Sequence, residues 1–219
     1  MRISSISSEY EKLYHLLERP VPLAAQRAKK AAEGIEKDLI QISAVDGWLL
    51  SFLFRLGGCK KIVEVGTLTG YSTAFILEQL PRDGKLWSLE LSAEHARLAE
   101  AALSAEGLNR DGRLKILVGD ARENLKALAA EGPFDGIFID ANKAATFDYV
   151  LWSEANISPG GLLVLDNVLL HGEFFGPSER FSKNQREALQ NSILHLEKSP
   201  AWELVMVPAS DAFAVARRI

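Results

Sequence analysis

The sequence predicts an α/β fold, a mostly parallel sheet of seven strands with helices on both faces. Three observations carry that expectation. Residues 61–80 read as a strand, a glycine turn and a helix, which is the opening unit of a nucleotide-type α/β sheet. From Lys60 onward, apolar strand-like runs alternate with stretches of helical spacing, as a parallel sheet requires. With 219 residues and 47% hydrophobic content, the chain suits one soluble domain with a full core. That domain divides into an N-terminal helical extension, residues 1–57, and an α/β core, residues 58–219.

In the extension, Ser8 is placed to cap a helix running through Leu17, which Arg19-Pro20-Val21-Pro22 breaks. An alanine-rich helix then runs to about Asp38. Ser43 starts a third, whose Trp48, Leu49, Phe52, Leu53 and Leu56 favour burial before Gly57-Gly58 stops it. The link Gln41-Ile42-Ser43 between these helices is placed to face a ligand cleft.

The core begins with the β-branched run Lys61–Val65 and a helix from Tyr71 to Leu80. A strand Lys85–Glu90 and a helix Ala93–Glu106 follow, then a strand Leu114–Val118 and a helix Ala121–Ala130. Phe134–Asp140 is the fourth strand. Gly161–Leu165 is the fifth, introduced by a turn at Ser158-Pro159-Gly160-Gly161. A helix near Asn184–Glu197 leads to strands Trp202–Val207 and Ala212–Arg217. Only Pro208 to Asp211 joins that pair, too few residues for a parallel crossover, so it is antiparallel.

Composition excludes several classes of function. A net charge of −4 gives no general reason to bind nucleic acid or anionic lipid. Arg27-Ala28-Lys29-Lys30 and Arg217-Arg218 read as solvated positions. The run Trp48–Phe54 is too short to cross a bilayer, and the first residues hold no signal-peptide core. A single cysteine, Cys59, forbids an internal disulfide, agrees with a reducing cytoplasm, and reads as a packing residue.

Ligands of open α/β sheets bind beyond the carboxyl ends of the strands, and this chain places acids there. The glycine turn is Glu64-x-Gly66-x-x-x-Gly70, without the middle glycine of a pyrophosphate site. An acid at that strand end suits a positively charged ligand rather than a pyrophosphate. Glu90 is placed to accept hydrogen bonds from two ribose hydroxyls, and Asp120 and Ala121 to lie at an adenine edge. The bland alternatives are helix-terminal charge for Glu90 and a helix cap for Asp120. Asp140, Asp166 and Asn167, at the ends of strands four and five, form a hard oxygen set suited to Mg²⁺ or another divalent cation such as Ca²⁺; the bland alternatives are helix capping by Asp140 and a turn-forming Asp-Asn pair.

In this order, Glu64-Val65-Gly66-Thr67-x-x-Gly70-Tyr71-Ser72, then Phe138–Lys143, then Asp166-Asn167-Val168 resemble the cation-dependent, S-adenosylmethionine (SAM) dependent O-methyltransferases. That family includes the catechol and caffeoyl-CoA enzymes. The resemblance covers about residues 41–172 and extends weakly to the C-terminus. It implies the Rossmann-like class I methyltransferase fold with an antiparallel last strand. It also implies SAM contacts at Ile42, Glu64, Gly66, Thr67, Ser72, Glu90, Ala121 and Asp140, metal ligation by Asp140, Asp166 and Asn167, and frequent homodimers.

The expected reaction passes a methyl group from SAM, leaving S-adenosylhomocysteine, to a hydroxyl of a small catechol-like aromatic. Lys143 is the candidate base or oxyanion stabiliser, and His171 reads as a loop residue. The paired aromatics of His171–Pro177 suit a lid over a flat acceptor. Two departures bear on the acceptor. Asn142 stands where many relatives have Asp, and Ser210-Asp211-Ala212 where many have Gly-Asp-Gly. The rival readings are methylation of a hydroxyuridine in tRNA, with low positive charge against it, and a non-catalytic SAM-binding protein.

Overall fold

The computed structural model describes residues 12, 13, 16, 20–33, 35, 41–109, 111–176 and 178–219. The expected positions of Ser8, Leu17, Arg19 and Asp38 at helix ends and breaks lie outside them. Helix α1 spans Leu23–Ala32 and helix α2 spans Ala44–Leu56. Ser43 caps α2 in a reciprocal capping box with Asp46, and Gly57 closes its other end. Ala24, Ala25 and Ala28 form the buried side of α1, small enough for close packing against two later helices.

The core runs β1 (Lys61–Val65), α3 (Tyr71–Gln79), β2 (Lys85–Glu90), α4 (Ala93–Ala105), β3 (Leu114–Val118) and α5 (Ala121–Leu128). It continues with β4 (Phe134–Ile139), α6 (Thr146–Asn156), β5 (Ile157–Leu165), α7 (Lys183–Lys198), β6 (Trp202–Val207) and β7 (Phe213–Arg218). The seven strands form one sheet in the order β3-β2-β1-β4-β5-β7-β6. The first five pair in parallel, and β7 is antiparallel to both β5 and β6. This is the mostly parallel seven-stranded sheet with an antiparallel last pair that the sequence predicts, and the arrangement that the resemblance to the class I methyltransferases implies.

Side chains alternate across the sheet with a period of two. Ile62, Leu86, Leu114 and Phe138 face α1 to α4, while Val63, Trp87, Leu89, Ile137 and Ile139 face α5 to α7. Each face therefore has its own apolar layer, and the central strands are buried on both sides. Cys59 packs in the first layer; burial pushes its thiol up to about 12, which makes it inert.

Three expectations are corrected. Phe52 and Leu56 are 54% and 73% exposed, because α2 covers the sheet with one stripe only and these two project away from it. The sequence reading has no helix between strands four and five, yet Thr146–Asn156 forms α6 and buries Tyr149 and Val150. The turn at Ser158–Gly161 is instead the first part of a longer β5, with a register shift against β4.

Candidate functional site

Register brings the site together. Val65 pairs with Leu89 and Ile139, and Ile139 with Leu165, so the next residues share one edge of the sheet. These are Gly66, Glu90, Asp140 and Asp166. The pairing continues past the strand ends: Gly66 N–H donates to Leu89 O at 3.0 Å, Asp140 N–H to Val65 O at 2.9 Å, and Asp166 N–H to Ile139 O at 3.1 Å.

Gly66 has φ 103°, and a Cβ there would lie 2.0 Å from the carbonyl oxygen of Asp140. Only glycine lets the loop after β1 turn this close to the end of β4. Thr67 is buried and its hydroxyl meets Ser88 Oγ at 2.5 Å. Leu68 N–H donates to Glu90 Oε2 at 2.7 Å, and Ser92 N–H to Oε1 at 2.9 Å. The Glu90 carboxylate thus ties the glycine loop to β2; Oε2 keeps a lone pair for a further donor, while Oε1 also has the His95 imidazole Nδ1 3.4 Å away.

Glu64, expected at the cofactor, lies beneath the glycine loop. It lies on the α3 face of β1 and is 0% exposed. Its carboxylate accepts from Ser72 Oγ at 2.5 Å, Thr73 Oγ1 at 2.7 Å and Ser88 Oγ at 2.6 Å. Burial pushes its pKa up to about 7; the three hydroxyls oppose the rise and Asp140 adds to it. Glu64 is the buried knot under the loop, holding Ser72 and, through Ser88, Thr67.

Ile42 is buried next to α2, and its neighbour Gln41 donates from Nε2 to Thr69 Oγ1 at 2.8 Å. Asp120 is exposed; it caps α5 by accepting Arg122 N–H at 2.8 Å and pairs with the Arg122 guanidinium at 2.9 Å. That is the capping alternative, although Gly119 N–H donating to Glu90 O at 2.8 Å keeps this turn beside Glu90. Ala121 is half-buried at the first turn of α5.

Lys143 is no surface lysine. It is 8% exposed, with Nζ donating to Asp166 O at 3.0 Å and to Asp140 Oδ1 at 3.4 Å. One ammonium therefore bridges the ends of β4 and β5. Burial, and then the Asp140 charge, hold the Asp166 carboxyl well above the usual carboxylate range, and Lys143 offsets only part of this. Two acids at neighbouring strand ends, with one lysine paired to the Asp140 carboxylate and bonded to the Asp166 carbonyl, leave an electrostatic deficit that a cation would relieve, and Asn167 adds an amide oxygen. The donor set fits a hard divalent ion. Among the described residues no three His, Cys, Asp or Glu side chains group as a metal cluster, so the set depends on the Asn167 amide.

Two buried acids near this site were given no role in the sequence reading. Asp46, the capping residue of α2, accepts Ser210 N–H on Oδ1 at 3.1 Å. Asp211 accepts His171 N–H on its two oxygens at 2.9 and 3.0 Å, and burial raises its pKa. For Asp211 the signals were the match to the middle residue of the relatives' Gly-Asp-Gly and its place in a tight turn between two strands, where an Asp also serves simply as a turn residue. His171 itself is an exposed loop residue stacked on Phe181. In the same segment, Phe174 packs on the core and Phe175 is 82% exposed; Pro177 lies outside the described residues.

A family model described as O-methyltransferase matches residues 20–219. A catechol O-methyltransferase of Niastella koreensis is 39% identical over 136 residues, 61% of either chain. One of Mycobacterium tuberculosis is 32% identical over 156 residues, 71% of this chain and 70% of that one. Among solved structures, the O-methyltransferase TomG of Streptomyces achromogenes, in complex with SAM, is 28% identical with a TM-score of 0.81 over 89% of both chains.

Proposed function

This chain belongs to the O-methyltransferase family, as a SAM-dependent enzyme, and from that premise we propose that it methylates vicinal diols of the catechol type with a divalent cation. The observation that carries the proposal is the buried Lys143 between Asp140 and Asp166, at the sheet edge that also holds the glycine loop. Binding SAM alone needs no such cluster. The catechol O-methyltransferases among its relatives point to the same acceptor class.

In this reading the loop Gly66–Gly70, Glu90 and the turn at Asp120-Ala121 form the cofactor side. Glu90 Oε2 has a lone pair open to a ribose hydroxyl, and Ile42 closes the cleft from the link before α2. Glu64 keeps Ser72 and Thr73 in place at the first turn of α3. On the acceptor side, Asp140, Asp166 and Asn167 would hold the cation, which when bound lowers the pKa of an acceptor hydroxyl and fixes its approach. Lys143 Nζ uses two of its N–H groups on Asp166 and Asp140. Its third is free to donate to the acceptor oxygen as negative charge develops there. The hydroxyl oxygen then forms its bond to the methyl carbon as the carbon–sulfur bond breaks, and the hydroxyl proton leaves to solvent.

Of the about three positions that three protein ligands would leave open on a six-coordinate cation, two adjacent oxygens can fill two, whereas a monophenol fills one. With SAM and Mg²⁺, a catechol should therefore be methylated far faster than the matching phenol, and chelator should abolish the difference. Equal rates on the two acceptors, or full activity in chelator, would overturn the proposal. Preferential methylation of undermodified tRNA would replace it with the hydroxyuridine reading.

A further inference from the structure

The segment that leaves Asp166-Asn167 is held in an unfavourable shape from outside. Asn167, Leu170 and His171 have φ of 53°, 50° and 54°, a left-handed region that costs roughly 1–2 kcal/mol for a residue such as Leu and less for Asn and His, which adopt it more readily. Three residues in five do not adopt it unless the surroundings impose it. The surroundings here are the β6–β7 turn. Val168 N–H donates to Ala212 O at 3.4 Å, Leu169 N–H to Asp211 O at 3.2 Å, and His171 N–H to both oxygens of the Asp211 side chain.

The turn is anchored on its other side as well. Ser210 N–H donates to Asp46 Oδ1, and Ser210 Oγ lies 3.1 Å from Ser43 Oγ. Asp46 Oδ2 in turn accepts from Ser43 Oγ at 2.8 Å. The capping box that starts α2 therefore grips the turn, and the turn grips the backbone beyond Asn167. Asp211 is buried, both its oxygens accept the His171 backbone amide, and the His171 imidazole Nδ1 lies 3.6 Å from Oδ2, so the whole carboxylate is turned on this segment and arranged to shape it.

We propose that Asp211 is a positioning residue for the Asp166-Asn167 oxygen pair, holding the backbone of residues 168–171 so that the pair faces Asp140. It touches none of the reacting atoms itself. The proposal rests on the cation-site reading above, with Asp166 and Asn167 as the donors it sets. It also assigns a use to an acid that the catalytic scheme leaves idle.

The test measures cation binding and backbone protection rather than turnover. Mn²⁺ affinity, by electron paramagnetic resonance, and amide exchange of residues 167–172 are recorded for wild type, Asp211→Asn, Asp211→Ala and Asp166→Asn. Asp211→Ala should weaken Mn²⁺ binding by about 10–100-fold, as loss of an outer partner of a metal ligand does. It should also speed exchange of residues 168–171 while the central strands stay protected. Asp211→Asn keeps an oxygen acceptor for His171 N–H and should recover most of both. Asp166→Asn should lose binding whatever its exchange.

Wild-type affinity in a folded Asp211→Ala overturns the positioning role and leaves the cation site standing. Equal losses in Asn and Ala variants also overturn it, because the carboxylate would then act through charge alone. If wild type binds no Mn²⁺, or Asp166→Asn binds as wild type does, the cation-site reading fails and takes this role with it. Should Asp211→Ala not fold, the Asn variant decides: near-wild-type affinity with slow exchange supports the role, and a loss beyond tenfold with unchanged exchange refutes it.

Discussion

Replacing Glu64 by Gln should make the protein more stable at neutral and alkaline pH, although it removes an acid from the signature loop. Glu64 is wholly buried and its carboxyl is raised from 4.5 to about 7, chiefly by burial. At ~1.4 kcal/mol per tenfold, the ionised form costs the folded state about 3 kcal/mol. The sign follows from proton counts. Between pH 4.5 and 7 the folded chain holds more of this proton than the unfolded chain. The associated stability is therefore fully present below 4.5 and lost as pH rises through 7.

Gln has nearly the same shape and no charge to desolvate. Its amide oxygen can take the Oε2 position, accepting from Thr73 and Ser88 as now. Its NH₂ then meets Ser72 Oγ, whose hydroxyl only has to rotate to accept. Urea denaturation of both proteins from pH 5 to pH 8, followed by circular dichroism, isolates the term. Asp166 and Asp211 are common to both and cancel in the difference. The Gln variant should gain about 2–3 kcal/mol on wild type across that range, on the order of 1 M in the urea midpoint. Parallel stability curves for the two proteins would refute the reasoning.

Three further outcomes are expected. Gly66→Ala should lose about 2–5 kcal/mol, from overpacking against the Asp140 carbonyl and an unfavourable φ; denaturation midpoints within error of wild type would contradict the close approach. Glu90→Ala should weaken S-adenosylhomocysteine binding by about 1.5–3 kcal/mol in calorimetry, the usual worth of bonds to a charged group, and an unchanged dissociation constant would remove Glu90 from the site. Lys143→Met, of similar length without the ammonium, should lower kcat at least about 100-fold, the scale of one lost oxyanion donor. Its affinity for S-adenosylhomocysteine should stay near wild type, and an undiminished kcat would assign Lys143 to structure alone.

Much of this architecture was legible in the chain because it is written in short-range patterns. β-branched runs, glycine turns, the Ser43 cap and the acids at successive strand ends each occupy a few consecutive residues. Alternating strands and helices then leave little choice of topology, and a ligand edge at the carboxyl ends follows. The pairing of Asp140 with Asp166 needed only that strands four and five be neighbours. The helix Thr146–Asn156 was missed because its polar and apolar residues lack a clean stripe; packing of Tyr149 and Val150 on the sheet makes it a helix.

The sequence by itself determined the order of elements, the loop chemistry and the identity of the acids at the site. Only the tertiary structure decided which way those groups face and what they meet. Glu64 became a buried acceptor because α3 and β2 bring three hydroxyls to it. Lys143 was drawn inward between two acids, and Phe52 and Leu56 were left outside once one stripe of α2 had covered the sheet. Asp211 lies 40 residues from the amide it holds, and Asp46 lies 164 from the amide of Ser210. A carboxylate's role depends on its burial and its partners, and both are set by segments remote in sequence, so no local pattern records them.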